Sequence, residues 1–308
     1  MGGAKMIWAD LLHLSYNMWR DWDNPQGNDL YINRTPNLRF DDALWNDLLA
    51  QAAAAGLNMI VIDLGDGVQY QSHPEIAVKG AWTTSRLKEE LAKMRKMNIE
   101  PVPKMNFSAT HDTWLGPYSR CLSTDTYYAV CRDLIAEAAA LFDKPRFFHL
   151  GMDEETAEHQ RGFEYSVIRQ HDLWWRDFYF YVEQVEKAGS RPWIWSDYAW
   201  EHPDLFYKKM PKTVLQSNWY YDVKFGADER AVQTYRDLDQ HGYDQIPTGS
   251  NWTFPESFGK TVDYCRKNVS AGHLLGFMQT SWKPTLEACR KRHVESIEQV
   301  KAARVSAT

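Results

Sequence analysis

The chain has 308 residues, of which 44% are hydrophobic and 25% are charged, and this composition is typical of a globular protein with a large core. Its formal net charge of −6 argues against a nucleic acid as the main partner, because phosphate binding needs clusters of basic residues. No apolar run approaches the length of a membrane span, so no membrane partner is expected.

Aromatic and cysteine residues narrow the function further. The chain has 14 Trp and 16 Tyr, whose flat faces suit stacking on sugar rings and which also fill cores. Its four cysteines form no C-x-x-C pair, so a zinc ribbon or redox motif is not expected, and a disulfide between Cys121 and Cys131 stays open. We expect neither a metal nor another cofactor.

Residues 1–6 lack the apolar core of a signal peptide. The compartment stays open, and the sequence does not indicate the oligomeric state.

Strand and helix patterns alternate along the whole chain. Strands are predicted at 7–19, which runs into a loop through 24–27, and then at 59–63, 102–107, from 146 into the acids at 153 and 154, and at 192–197, 214–220, 245–251 and 274–282. Helices are predicted at 40–56, with Asp41 as N-cap, and at 84–97, 124–142, 163–187, 203–210, 229–241, 255–268 and 286–303.

Eight strand-then-helix units in one run predict an α/β fold, a closed parallel (β/α)8 TIM barrel that forms a single domain over residues 1–308. The main alternative is an open doubly wound sheet. Such a sheet usually carries a Gly-rich phosphate-binding turn after its first strand, and this chain has none there.

The fourth strand runs directly into acidic residues. If it is extended, Phe148, Leu150 and Met152 share an apolar face, whereas His149 and Asp153 share the other. Carboxylates at the end of an apolar strand are costly to desolvate unless a partner or a function compensates. A helix N-terminus is the alternative explanation, because its dipole favours acids.

In a TIM barrel the catalytic groups collect at the C-terminal ends of the strands. This rule predicts a mouth rich in carboxylates, amides and aromatic rings, which suits a carbohydrate better than a phosphate or an acyl chain. The residues at these ends are Asn17, Trp19, Asp63, Asn106, His111, Asp153, Glu154, Trp195, Asp197, Asn218, Trp219, Tyr220, Asn251, Trp252 and Trp282.

Several segments resemble a known family in chain order. Residues 149–154 read His-Leu-Gly-Met-Asp-Glu, which resembles the H-x-G-x-D-E motif of family-20 glycoside hydrolases, the β-N-acetylhexosaminidases. Residues 219–222 resemble that family's W-Y-x-D stretch, and 193–197 its strand-five Trp segment. Residues 103–111 loosely resemble its P-E-I-D-x-P-G-H loop, with Lys104 for the Glu and Asn106 for the Asp, and Trp282 falls where the family has a strand-eight Trp.

The resemblance implies substrate-assisted retaining hydrolysis of β-linked N-acetylhexosamine, in which the 2-acetamido oxygen of the sugar attacks its own anomeric carbon. Glu154 would be the general acid and then the base, and Asp153 would accept the acetamido N–H. Tyr220 would donate to the acetamido oxygen. The remaining residues assigned to the substrate site are Trp195, Trp219, Trp282, His149, His111, Asp197 and Asn106, with His149 expected mainly to support Asp153.

Two departures from the family affect the outer end of the sugar. His13 stands near the position of the family's strand-one Arg, and Trp282 is followed by Lys283 and Pro284 rather than by a Glu two residues on. We therefore expect altered recognition of the terminal sugar.

Three other functions are compatible with the sequence. The first is a sugar-binding barrel without turnover. The second is a metal-dependent hydrolase, although the ten His are scattered. The third is a glycosidase with an enzyme nucleophile, for which Asp197 is the candidate.

Overall fold

The computed structural model describes residues 5–20 and 31–306. Its strands are β1 Ile7–His13, β2 Met59–Asp63, β3 Glu100–Lys104, β4 Phe147–His149, β5 Arg191–Trp195, β6 Leu215–Ser217, β7 Thr248–Ser250 and β8 Gly276–Thr280. The helices in this part of the chain are α1 Asp42–Ala55, α2 Thr84–Lys96, α3 Asp125–Leu141, α4 His171–Lys187, α5 Tyr198–Glu201, α6 Pro203–Lys209, α7 Arg230–Gln240, α8 Ser257–Asn268 and α9 Arg290–Val305. The predicted loop through 24–27 lies outside the described residues.

The strands form one parallel sheet in the order β6-β5-β4-β3-β2-β1-β8-β7. The two end strands also meet, since the N–H of Ile246 donates to the carbonyl of Gln216 (2.9 Å) and that of Thr248 to Asn218 (2.9 Å). These bonds close the sheet into a barrel, and the predicted (β/α)8 TIM barrel is confirmed.

Helices α2, α4, α8 and α9 pack directly against strands of the barrel. In α2, Leu87, Leu91 and Met94 are buried, and the hydroxyl of Thr83 accepts the N–H of Arg86 at the N-terminus. Helix α1 ends where Gly56 adopts a left-handed conformation (φ 81°), which glycine reaches without steric cost.

The fourth helix is shorter than its sequence pattern predicts. It begins at His171 rather than at 163, and the preceding residues form an irregular loop. Arg169 in this loop donates to Glu155 and to the carbonyl of Phe107 (2.7 Å), so a buried ion pair outside the helix overrides the local helical pattern.

The structure also shows the state of the cysteines and the character of the described helices. Cys121, Cys131, Cys265 and Cys289 are all free thiols, so the open question of a 121–131 disulfide is answered. Among the described residues, no helix has both the length and the apolar character that a bilayer span requires.

Candidate active site

The segment after β4 turns sharply as it reaches the barrel mouth. Gly151, Met152 and Glu154 all have positive φ (72°, 74° and 55°), a conformation that costs free energy for the two non-glycine residues. The loop after β3 holds this turn, because Ser108 donates its hydroxyl to the carbonyl of Asp153 (2.5 Å) and Thr110 donates to that of Glu154 (2.8 Å). Hydrogen bonds from the loop after β3 therefore hold this strained backbone in place.

Asn106 is the central contact between that loop and the turn. Its Nδ2 donates to Asp153 (2.8 Å), while its Oδ1 accepts the N–H groups of Ser108 (3.0 Å) and Met152 (3.2 Å). A Cβ on Gly151 would lie 2.0 Å from that Oδ1. The glycine of the H-x-G-x-D-E sequence is thus required both by its φ and by the close approach of Asn106.

Asp153 and Glu154 open into a cavity of about 320 Å3 at the barrel mouth. Apart from these two acids, the residues that line it are aromatic or aliphatic. They are Tyr16, Trp19, Ile32, Trp195, Trp219, Tyr221, Trp252 and Trp282. Such a cavity has the concave shape, apolar walls and few polar groups that are typical of a small-molecule site.

His111 lies against both acids. Its Nε2 is 3.4 Å from Oδ2 of Asp153 and 3.3 Å from Oε2 of Glu154. Burial alone would lower the pKa of His111, but the charges and hydrogen bonds of the two acids outweigh it and raise this pKa to about 10. Burial would likewise raise the pKa of Asp153, yet the His111 charge holds it below its ordinary value. Asp153 is therefore kept as a carboxylate.

The structure places Tyr221, rather than the tyrosine assigned from the sequence, at the cavity. Tyr220 points away from the cavity and donates its hydroxyl to the carbonyl of Lys224 (3.0 Å). Tyr221 lines the cavity instead, and its hydroxyl accepts the indole N–H of Trp282 (3.0 Å). Trp219 bridges to Thr248 as an extended residue, so the side chains at 219 and 221 share a face and that of 220 lies opposite. Burial raises the pKa of Tyr221, which keeps its hydroxyl proton available for donation.

Asp197 and His149 stand behind the cavity wall. Asp197 accepts the backbone N–H of Glu154 through Oδ2 (2.8 Å) and the indole N–H of Trp219 through Oδ1 (3.3 Å). His149 is buried under Trp195, with ring centroids 4.5 Å apart, and its Nδ1 accepts the N–H of Gly151 (3.0 Å). Burial lowers the pKa of His149 well below its ordinary value, so the ring is neutral and supports the turn. Neither residue lines the cavity.

Other polar residues at the strand ends serve the fold. Asp63 forms an ion pair with Lys104 inside the barrel. Asn218 accepts from Trp200 (2.9 Å) and donates to a helix α7 carbonyl, and Asn251 donates to the carbonyl of Arg292 (2.9 Å). Being at the end of a strand is therefore not sufficient for reaching the cavity.

His13 and Lys283, the residues at which the sequence departs from the family resemblance, both lie against rings of the outer cavity wall. His13 is buried, with its ring against Tyr16 (4.9 Å) and Trp282 (5.6 Å). Lys283 lies with its Nζ 4.4 Å from the ring centroid of Trp252. Among the described residues, those that line this end of the cavity are rings and an aliphatic side chain.

Within the described residues, one group could hold a metal ion. It consists of His111, Asp153 and Glu154, whose donor atoms lie within 4.8 Å of one another. A metal needs the imidazole in its neutral form, whereas the raised pKa of His111 favours the imidazolium. A metal ion at this site would therefore have to compete with a proton for His111.

Three cavity residues were not predicted. Ile32 lies on a loop, and Tyr16 lies beyond the end of β1, which stops at His13 rather than continuing to residue 19 as predicted. Tyr221 had a signal, because strand alternation places it on the same face as Trp219.

The chain matches no protein-family model. A search of curated proteins also finds no match. Solved structures do match. A β-N-acetylhexosaminidase from Bacteroides fragilis NCTC 9343 has 15% identity and a TM-score of 0.64, over 97% of this chain and 65% of its own. A GH20 exo β-N-acetylglucosaminidase from Vibrio harveyi, solved with N-acetylglucosamine, has 13% identity and a TM-score of 0.62, over 98% of this chain and 56% of its own.

A third structure, the N-acetyl-β-hexosaminidase of Streptomyces plicatus in complex with Thio-NAglucal, has 13% identity and a TM-score of 0.62, over 97% of this chain and 64% of its own. The chain thus spans between about half and two thirds of the length of these proteins. At identities this low, the structural matches establish the barrel fold alone.

Proposed function

We propose that this chain is a glycoside hydrolase that acts on β-linked N-acetylhexosamine by substrate-assisted retaining hydrolysis. The observation that carries the proposal is the aromatic cavity at the barrel mouth, whose described lining includes the polar groups of Asp153, Glu154 and Tyr221. This set matches the needs of a reaction in which an acetamido group must be oriented and a glycosidic oxygen protonated. The similar solved structures, which are hexosaminidases by name, support the substrate class.

Asp153 has the properties of an orienting group. Asn106 and His111 hold its carboxylate, and its low pKa makes it a fixed hydrogen-bond acceptor and a weak nucleophile. In the proposed reaction it accepts the acetamido N–H and stabilises the positive charge that develops as the acetamido oxygen attacks the anomeric carbon. Tyr221 donates its hydroxyl to that oxygen and so fixes the direction of attack.

Glu154 is the proposed general acid. Its side chain is 26% exposed, so it can reach both the cavity and bulk water. It protonates the leaving oxygen as the glycosidic bond breaks, and the resulting carboxylate then removes a proton from the water that opens the cyclised intermediate. Trp195, Trp219 and Trp282 enclose the acetamido group and exclude water from it.

Recognition of the outer hydroxyls is proposed to differ from that of the family. The rings of Tyr16, Trp19 and Trp252 take the place of charged ligands at this end. We infer that the terminal sugar is held by stacking, which tolerates an epimeric, substituted or internal residue.

The test compares Glu154→Gln with Glu158→Gln, an exposed acid on the same loop that pairs with Arg161. Glu154→Gln should lower kcat roughly 10²–10⁴-fold on a disaccharide of N-acetylglucosamine, while N-acetylglucosamine binding is retained. Glu158→Gln should behave as wild type. A thiazoline mimic of the cyclised acetamide should inhibit. Sugar binding without hydrolysis, unchanged in Glu154→Gln, would instead identify a non-catalytic sugar-binding barrel.

A further inference from the structure

Asp197 connects the proposed general acid to the cavity wall. Both of its carboxylate oxygens are occupied: Oδ2 accepts the backbone N–H of Glu154 and Oδ1 accepts the indole N–H of Trp219. A carboxylate so engaged is poorly suited to attack an anomeric carbon. The geometry therefore argues against Asp197 as the enzyme nucleophile, the alternative that the sequence analysis left open.

The bond to Glu154 falls on a strained residue. Glu154 has φ 55°, and a non-glycine residue keeps such a conformation only when its surroundings impose it. Three groups hold the backbone of Glu154: Oδ2 of Asp197 accepts its N–H, whereas Oγ1 of Thr110 and the N–H of Thr156 donate to its carbonyl. Without the first of them, the backbone could relax toward negative φ and carry the Glu154 side chain away from the leaving oxygen.

The second bond couples this backbone to substrate binding. Trp219 lines the cavity, and its N–H is anchored on the same carboxylate that anchors Glu154. A sugar that contacts the Trp219 ring therefore also affects the Asp197 carboxylate, which holds the backbone of Glu154. Burial and the neighbouring Asp153 charge raise the pKa of Asp197, so this contact is made at an energetic cost.

We propose that Asp197 is a positioning residue, which holds Glu154 in the geometry for proton donation and links that geometry to Trp219. This inference rests on the proposed function. It predicts a loss that depends on the leaving group, since misplacing a general acid harms a substrate whose leaving oxygen needs a proton and spares one whose leaving group does not.

The experiment measures kcat and KM for Asp197→Asn and Asp197→Ala on two substrates, a disaccharide of N-acetylglucosamine and its dinitrophenyl glycoside. Asp197→Ala should lose roughly 10²-fold in kcat on the disaccharide and less than about tenfold on the dinitrophenyl glycoside. Asp197→Asn retains one acceptor oxygen and should fall between wild type and Asp197→Ala. The matched control is Asp10→Asn, a buried acid of β1 that accepts from Ser296, does not line the cavity and should leave the ratio of the two rates unchanged.

The outcomes separate this inference from the proposed function. If wild type hydrolyses both substrates but the Asp197 variants lose equally on both, or behave like Asp10→Asn, the positioning role is wrong and the function stands. Capture of a covalent glycosyl adduct on Asp197 with a fluorinated sugar would also overturn it. If wild type hydrolyses neither substrate, the proposed function itself fails.

Discussion

Nε2 of His111 lies 3.4 Å from Oδ2 of Asp153, and the same nitrogen lies 3.3 Å from Glu154. One imidazolium thus serves two neighbouring acids inside a cavity with apolar walls. Its charge compensates the cost of placing both carboxyl groups in the same site. The ionised state of Asp153, which its proposed orienting role requires, depends on this cation.

The first prediction concerns the pH dependence of stability. The folded-state pKa of His111, about 10, is above its unfolded value near 6.5, so its contribution to the free energy of unfolding is fully present below about pH 6.5. It is lost as pH rises through about 10. Urea unfolding of wild type and His111→Asn at pH 6, 8 and 9.5 should therefore show a difference that shrinks as pH rises.

His293 provides the control for that measurement. It is also buried, but burial lowers its pKa to about 4, so it is neutral in the folded chain at every pH used. The difference between wild type and His293→Asn should be nearly constant between pH 8 and 9.5, where the unfolded imidazole is also neutral. If the His111→Asn difference were equally constant, His111 would be neutral in the folded protein and the ion-pair account would be wrong.

The second prediction tests the reassignment of the tyrosine. Tyr221→Phe removes the donor that faces the cavity, so kcat should fall by roughly 10²–10³-fold, the cost of losing one oxyanion-type donor. Tyr220→Phe removes a hydroxyl that bonds only to the loop after β6, and kcat should change less than about threefold. Steady-state kinetics on an aryl β-N-acetylglucosaminide measure both. A larger loss in Tyr220→Phe would restore the assignment made from the sequence motif.

That reassignment shows what the sequence could and could not supply. The hydrophobic periodicity and the order of the predicted elements were sufficient to predict the barrel. The predicted ends of strands four, five and eight contain Asp153, Glu154, Trp195 and Trp282, which the structure brings together at one cavity. These are consequences of local alternation and of the rule that parallel strands end at the same face.

The predictions that failed concern residues whose positions depend on contacts between distant parts of the sequence. Helix α4 begins late because Arg169 is drawn to Glu155, and the inward turn of Tyr16 is fixed by its bond to the carbonyl of Trp282, 266 residues away. Asp197 reads as a strand-end carboxylate, and only the structure shows that Glu154 and Trp219 occupy its oxygens. Neither hydrophobic period nor motif carries that information.

The third prediction concerns sugar selectivity. N-acetylglucosamine and N-acetylgalactosamine differ only in the orientation of one hydroxyl, and the described residues at the outer end of the cavity present rings to it. Sites that hydrogen-bond a hydroxyl can discriminate about 10⁴-fold or more, whereas apolar contacts discriminate far less. We expect kcat/KM for the two aryl glycosides to agree within about tenfold.

The matched comparison for selectivity is the aryl β-glucoside, which lacks the acetamido group. Its binding would leave Asp153 and Tyr221 without their partner, so its kcat/KM should be lower by at least about 10³-fold. A strong preference between the two acetamido sugars would reveal a polar ligand for the outer hydroxyls and contradict the stacking account.

The fourth prediction explains the glycine between His149 and Asp153. Gly151 and Gly242 have nearly the same φ, 72° and 74°, but a Cβ at 242 would meet nothing within 4 Å, whereas at 151 it would lie 2.0 Å from Oδ1 and 2.8 Å from Cα of Asn106. Gly242→Ala should therefore cost only the left-handed backbone, about 1–2 kcal/mol of unfolding free energy. Gly151→Ala bears the same backbone cost and must also displace Asn106, so its loss of unfolding free energy should be clearly larger.

Because Asn106 donates to Asp153, kcat should fall in Gly151→Ala and stay unchanged in Gly242→Ala. Urea unfolding and kinetics on both variants decide the matter: equal losses of stability, or full activity in Gly151→Ala, would mean that Asn106 can move without releasing the carboxylate.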